Sequence, residues 1–292
     1  MKSSWFTDEL IKRERGIGAG DQANVRTTEV PFSVLRTIDC YIPDGGQQTA
    51  TADYLDGETN SIDTMIAEQL RLIELLRERY AAEAAALLGD PIDARNTTVR
   101  RVLRQLSRPG GSGLGVITAF RDGAVTLRSN RREEGFTFSD TEDGYQEIRP
   151  GDLVFHALDG FAGAVGVSDS NGNATPVYHV CAAVADDDLP YVARLLRHLG
   201  LSGFLATRAP NVRERSVDFR NWTRFAGLPL SLPPVDEQRR VVAHLDAQAV
   251  RVQALIKEAE RFVELARERR AALIAAAVTD EAAVAPSKTE AR

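Results

Sequence analysis

Two stretches of the chain carry apolar residues in steps that alternate between four and three. In the first, positions 62, 66, 69, 73, 76, 80 and 87 hold Ile62, Ile66, Gln69, Ile73, Leu76, Tyr80 and Leu87. The same register in the second gives Val252, Ile256, Ala259, Val263, Ala266, Arg270 and Ala277, a narrower stripe interrupted at Arg270. Such spacing is the seam of a coiled coil. Both stretches are rich in Ala, Leu, Glu and Arg and have no internal proline. Each predicts a helix of about 35 residues, spanning about 50 Å. A helix that long with an apolar stripe needs a partner, and each supplies one for the other. An antiparallel pair is expected, because the residues between them must bring the chain back.

Between the stretches, the helical period gives way to short β-rich runs: Val116-Ile117-Thr118, Ala124-Val125-Thr126-Leu127, Leu153-Val154-Phe155 and Val177-Tyr178-His179-Val180. Turn formers separate them, as in Arg121-Asp122-Gly123 and Ser170-Asn171-Gly172-Asn173. One helix, over Leu189–Leu199, is predicted. The fold class expected is α/β (mixed α+β), one domain flanked by two long helices forming an antiparallel coiled coil.

The chain also repeats itself. Tyr54-Leu55-Asp56 returns as His244-Leu245-Asp246, and at the same offset Arg77-Glu78-Arg79 falls on Arg267-Glu268-Arg269. Over a third of the aligned helix positions are identical without a gap, beyond what two arbitrary helices share. The repeat reaches upstream, where Ile42-Pro43 precedes Gln48 as Leu232-Pro233 precedes Gln238. The first helix is therefore approached by a segment resembling the exit of the middle domain. A second copy of that domain would be expected before it.

Composition changes this picture little. The net charge is -6 in a chain of 292 residues, which by itself argues neither for nor against a nucleic-acid partner, since a basic patch on one face is what counts. No apolar run reaches the ~18 residues of a membrane span, and no signal peptide is apparent. Cys40 and Cys181 are far apart and outside any CxxC pattern, so they read as small buried residues. A cytoplasmic location fits these features.

Leu232-Pro233-Pro234-Val235-Asp236-Glu237-Gln238, leading into Val242-Ala243-His244-Leu245-Asp246, resembles the start of the long helix in type I restriction-modification specificity subunits. Leu265-Ala266-Arg267-Glu268-Arg269-Arg270-Ala271-Ala272-Leu273-Ile274 is similar to its end, and Pro150-Gly151-Asp152-Leu153-Val154, Gly163 and Thr175-Pro176-Val177-Tyr178 to the target-recognition domains of that family. The resemblance implies a non-catalytic subunit shortened at the N-terminus, with one complete target-recognition domain. Residues 1–52 would be a remnant or replacement of a first recognition domain, 53–89 and 241–279 the long helices, 90–240 the DNA-binding domain, and 280–292 a disordered tail. The implied partners are double-stranded DNA, methyltransferase subunits docked on the helices and, through them, the restriction motor. Two copies could associate as a homodimer, or the chain could pair with another specificity chain. A truncated coiled-coil scaffold, binding methyltransferase without productive DNA recognition, is the alternative.

A recognition domain must hold phosphates and read base edges, work suited to arginine and asparagine. Arg128-Ser129-Asn130-Arg131-Arg132 is the richest local cluster; Arg208, Arg213 and Arg215 form a second, and Arg121, in a turn, stands third. The expected DNA-binding residues are thus Arg121, Arg128, Asn130, Arg131, Arg132, Arg208, Arg213 and Arg215. Ile62, Ile66, Ile73, Leu76, Val252, Ile256 and Val263 mark the partner-binding helices. Gly151, Asp152 and Tyr178 read as structural. The glycine-rich runs Gly16-Ile17-Gly18-Ala19-Gly20 and Gly111-Ser112-Gly113-Leu114-Gly115 lack the strand-loop-helix context of a nucleotide loop. The four histidines show no metal spacing, and Asp186-Asp187-Asp188 suits a helix cap. No cofactor, metal or catalytic residue is expected; catalysis would come from partners.

Overall fold

The computed structural model describes residues 9–17, 24–38, 43–131, 144–208, 212–213 and 216–278. It divides into two compact units, residues 1–76 with 253–292, and residues 77–252.

In the first unit, β1 (Arg15–Ile17) pairs antiparallel with β2 (Asn24–Glu29), followed by the short α1 (Phe32–Leu35). The first long helix, α2, runs over Gly45–Gly89. Its start is set by a capping box: Asp44 Oδ1 accepts from Gln47 N at 2.9 Å, and Gln47 Oε1 accepts from Asp44 N at 3.3 Å. Ile62 and Ile73 are buried on this helix, while Ile66 and Leu76 are half-buried. On the second long helix, Ile256, Ala259, Val263 and Ala266 are buried. The seam read from the four-three spacing therefore closes between the two helices. Its weak position is compensated electrostatically, since Arg270 Nε meets Asp63 Oδ1 at 3.0 Å.

In the second unit, β3 (Arg95–Thr98) leads through the single-turn α3 (Val99–Val102) to β4 (Leu103–Gln105). A hairpin of β5 (Ile117–Ala119) and β6 (Val125–Leu127) comes next, then a 3₁₀ turn over Arg128–Asn130. The chain continues with β7 (Gln146–Ile148), β8 (Leu153–His156), a second 3₁₀ turn (Gly160–Ala162), β9 (Val165–Val167), β10 (Gly172–Ala174) and β11 (Tyr178–Ala183). Then come α4 (Leu189–Leu201), α5 (Phe204–Arg208), β12 (Val212–Arg213), β13 (Ser216–Val217), α6 (Trp222–Ala226) and β14 (Pro229–Leu232). The second long helix, α7, spans Val235–Val278. Glu83 meets His244 in this unit, as Asp63 meets Arg270 in the other, so the long helices run antiparallel.

The centre of this unit is an antiparallel sheet ordered β4-β11-β8-β9. Both faces are covered, which explains why β8 is a continuous apolar run rather than an alternating one. Leu153, Phe155 and Cys181 pack beneath Tyr191, Val192, Leu195 and Leu196 of α4, together with Phe225 of α6. Val154 and Val180 face the other way, toward Ile117, Val125 and Ile148. Asp188 caps α4, its Oδ1 accepting from Tyr191 N at 2.9 Å. Cys181 is fully buried, and burial pushes its thiol well above the ordinary range. Cys40 lies outside the described residues.

His179 on β11 is buried against Phe225, with ring centroids 5.0 Å apart. Gln105 Nε2 stands 3.4 Å from its Nδ1, and its Nε2 donates to the Phe219 carbonyl at 2.7 Å. Burial lowers its pKa below 6.5, outweighing the carbonyl's opposite pull, and burial lowers His156 and His198 as well. The folded state therefore favours neutral rings. The stability this confers is present above the unfolded value of 6.5 and is lost as pH falls through the folded value. The urea midpoint is expected to drop between about pH 7.5 and about pH 5.5, and less steeply in His179→Leu. Equal slopes in both proteins would refute this role for His179.

Candidate nucleic-acid interface

β5 and β6 pair with Ile117 opposite Leu127, Thr118 opposite Thr126 and Ala119 opposite Val125. Their turn is closed by Gly123 N donating to Phe120 O at 3.0 Å and Phe120 N donating to Ala124 O at 2.8 Å. Gly123 takes φ 95°, which leaves Arg121 and Asp122 at the tip. The 3₁₀ turn after β6 folds back along the hairpin. Arg128 N donates to Val116 O at 2.8 Å, Arg128 Nε to Thr118 Oγ1 at 3.3 Å, and Asn130 Nδ2 to Thr126 Oγ1 at 2.8 Å. Arg131 donates to Asp122 Oδ2 at 2.6 Å and lies 4.8 Å over the Phe120 ring.

Arg121, Arg128, Asn130 and Arg131 are thus gathered on one hairpin. Two of them also hold carboxylates. Arg121 donates to Asp159 at 3.1 Å while its side chain stays 68% exposed. Burial works against the Asp122 charge, yet the Ala124 N–H and Arg131 together hold its carboxyl below the ordinary value. Exposed pairs of this kind are worth only about 0.2–1 kcal/mol, so a phosphate or guanine can displace them.

Of the second cluster only Arg208 and the backbone of Arg213 are described. Asp159 leads into the Gly160–Ala162 turn, beside which β13 lies. Arg208 ends α5, exposed, with its guanidinium 5.1 Å over the Phe204 ring. Arg213 sits on β12 with its backbone opposite Ser216. Its side chain, Arg132 and Arg215 lie outside the described residues.

Gly163 locks the hairpin tip to this turn. It takes φ 93°, and a Cβ there would stand 2.6 Å from the Arg121 carbonyl oxygen. Gly163→Ala is expected to cost about 2 kcal/mol or more, from left-handed strain plus the clash, read as a lower denaturation midpoint. A midpoint unchanged from wild type would show that the turn tolerates a side chain.

Asp152 and Gln238 prove to be buried structural groups. Asp152 accepts from Arg149 N at 2.8 Å and from Arg108 Nη2 at 3.1 Å. Gln238, fully buried, donates to Asp187 Oδ1 at 2.9 Å and to Pro233 O at 3.0 Å, while its Oε1 accepts from Asp188 N at 2.9 Å. Arg95 Nη2 completes the cluster at 2.6 Å from Asp187. The repeat carries a physical echo, since Gln48 donates to Pro43 O at 2.6 Å across the same five-residue step.

No protein-family model matches the sequence, and no curated protein matches it. Solved structures do. One chain, from work on complex assembly and conformational transition of the type I R-M system, is 15% identical with a TM-score of 0.66, covering 94% of this chain and 68% of that one. The HsdS subunit from Thermoanaerobacter tengcongensis is 13% identical with a TM-score of 0.55, covering 94% and 67%. This chain has the fold of a type I specificity subunit. The part left uncovered is shorter than either long helix, so the specificity-subunit likeness takes in both helices as well as the sheet domain.

Within that fold, the seam residues Ile62, Ile73, Ile256 and Val263 are spent inside the chain, and Ile66, Leu76 and Val252 are half-buried. The apolar side chains left exposed on the helices are others, among them Leu70, Leu72, Leu75, Leu255, Phe262 and Leu265. Among the described residues no helix is long and apolar enough to cross a membrane.

Proposed function

We propose that this chain is the DNA-recognition and assembly subunit of a type I restriction-modification complex. Its domain binds one DNA half-site, and its helix pair docks methyltransferase subunits and, through them, the restriction motor. The observation carrying this reading is a fold likeness that extends over the sheet domain and both long helices. The hairpin supports the first half of the reading, because Arg121, Arg128, Asn130 and Arg131 converge on it in displaceable contacts. Arg132, Arg208, Arg213 and Arg215 remain candidates for further DNA contacts on the strength of the sequence. The exposed Leu70, Leu72, Leu75, Phe262 and Leu265 support the second half, as the apolar ground for a protein partner.

Two copies associated by two-fold symmetry, each presenting the domain described, would read a palindromic, interrupted site. Chemistry on DNA belongs to the partner subunits in this scheme. The test is selection of bound duplexes from a randomised pool, repeated over a range of salt. Enrichment of a short motif, with affinity falling as salt rises, is the expected result. Salt-independent or absent binding would favour a scaffold that assembles methyltransferase without reading DNA.

A further inference from the structure

Most arginines of the sheet unit are already engaged. Arg95, Arg108, Arg121, Arg131, Arg194 and Arg220 each hold a carboxylate. Arg100, Arg101, Arg104 and Arg224 do not: all four are exposed, and among the described residues their side chains have neither ion-pair nor hydrogen-bond partner. The fold puts them together. Val99, Val102 and Leu103 are buried, which turns Arg100 and Arg101 of α3 and Arg104 of β4 toward solvent. The α6 helix packs against α3 and adds Arg224. The carboxylate closest in sequence to Arg224, Asp218, is held by Arg220 at 2.8 Å.

This group sits on a different edge from the hairpin. β4 ends the sheet on one side and β9 on the other, and β6 packs beside β9. Strands spaced about 4.8 Å apart put the two edges roughly 15 Å from each other, the scale of a major groove about 12 Å wide. We propose that Arg100, Arg101, Arg104 and Arg224 form a phosphate-binding surface for duplex DNA, separate from the base-reading hairpin. Arg100, Arg101 and Arg104 have no carboxylate partner among the described residues, and Arg224 shares the field of Asp218 with Arg220, so the patch carries an excess of positive charge that a polyanion would neutralise. Val184 is exposed beside the patch, but Val99 and Val102 are buried, so charge dominates this surface, which favours phosphates over a protein partner. The surface supplies affinity without sequence preference.

This inference rests on the reading that the chain binds DNA, and one experiment separates the two. Binding of the full chain to a duplex pool with a randomised centre is followed by fluorescence anisotropy over a salt series. Three proteins are compared: wild type, the fourfold Arg→Gln variant at positions 100, 101, 104 and 224, and the matching Arg→Lys variant. The Gln variant is expected to lose affinity equally for all sequences. Its log affinity against log salt should flatten by about 0.9 per lost contact, about 3 to 4 in total. The Lys variant, which keeps the charges, should retain most of the slope. A Gln variant with the wild-type slope overturns the proposal while DNA recognition stands. The same slope with lost co-purification of the modification subunit overturns it too, and assigns the patch to a protein partner. A wild-type chain without salt-dependent binding overturns both readings.

Discussion

Gln238→Leu is expected to destabilise the protein by about 3–5 kcal/mol, because it strands three buried polar groups at once. The amide of Gln238 donates to Asp187 Oδ1 and Pro233 O and accepts from Asp188 N, at 2.9–3.0 Å. Leucine matches the volume but none of these bonds. Each orphaned group costs about 1–3 kcal/mol, and the Asp187 carboxylate, 2% exposed, cannot turn to water. Arg95, which donates to both oxygens of that carboxylate, offsets only part of the loss. Gln238→Glu provides a sharper test. It sets a second carboxylate against Asp187, so its deficit relative to wild type should be largest near neutral pH and shrink on acidification. Gln48→Ala is the control. Gln48 makes the matching bond to Pro43 O but is exposed, so its loss should cost well under about 1 kcal/mol. Urea denaturation of the three variants measures all of this; a Gln238→Leu midpoint as high as that of Gln48→Ala would refute the account.

Replacing Arg121, Arg128 and Arg131 together by Gln is expected to weaken DNA binding about 100-fold and to abolish preference among sequences. Loss of a base contact costs about 1–3 kcal/mol. Stability should change by about 1 kcal/mol per position or less, since Arg121 and Arg131 hold exposed carboxylates. The pattern matters more than the size. A variant that binds every duplex more weakly by one common factor would assign these residues to phosphates. A variant that loses its preference while keeping affinity for random DNA would assign them to base edges. Competition with the motif and with random duplex distinguishes the two.

The long helices were legible because a four-three apolar spacing sustained over several turns marks a helix with one buried face, and the seam closes on residues that the spacing marks. Even Arg270, the weak position, was visible; its compensation by Asp63 was not, because the partner comes from the other helix. The start of α2 was encoded by Asp44 and Gln47 but masked by Gly45 and Gly46, which disfavour helix. The pairing of β7 with β10 gave no signal, since Gln146–Ile148 and Gly172–Ala174 are three residues each and do not alternate. At the site, the hairpin tip was readable from Arg121-Asp122-Gly123. Which arginines remain unpaired was not, because Arg121 finds Asp159 across 38 residues while Arg104 finds no carboxylate among the described residues. Gln238 stood out through its repetition as Gln48, but the buried bonds it makes to Asp187 and Asp188 could not be read from that repeat.

The central claim, that this chain directs a methyltransferase to DNA by sequence, is tested most directly by co-expressing it with a type I modification subunit and mapping adenine methylation along a genome. The account predicts methylation confined to one short interrupted motif, palindromic if two copies of the chain supply the two half-sites. A stable complex that leaves no site-specific methylation would contradict it.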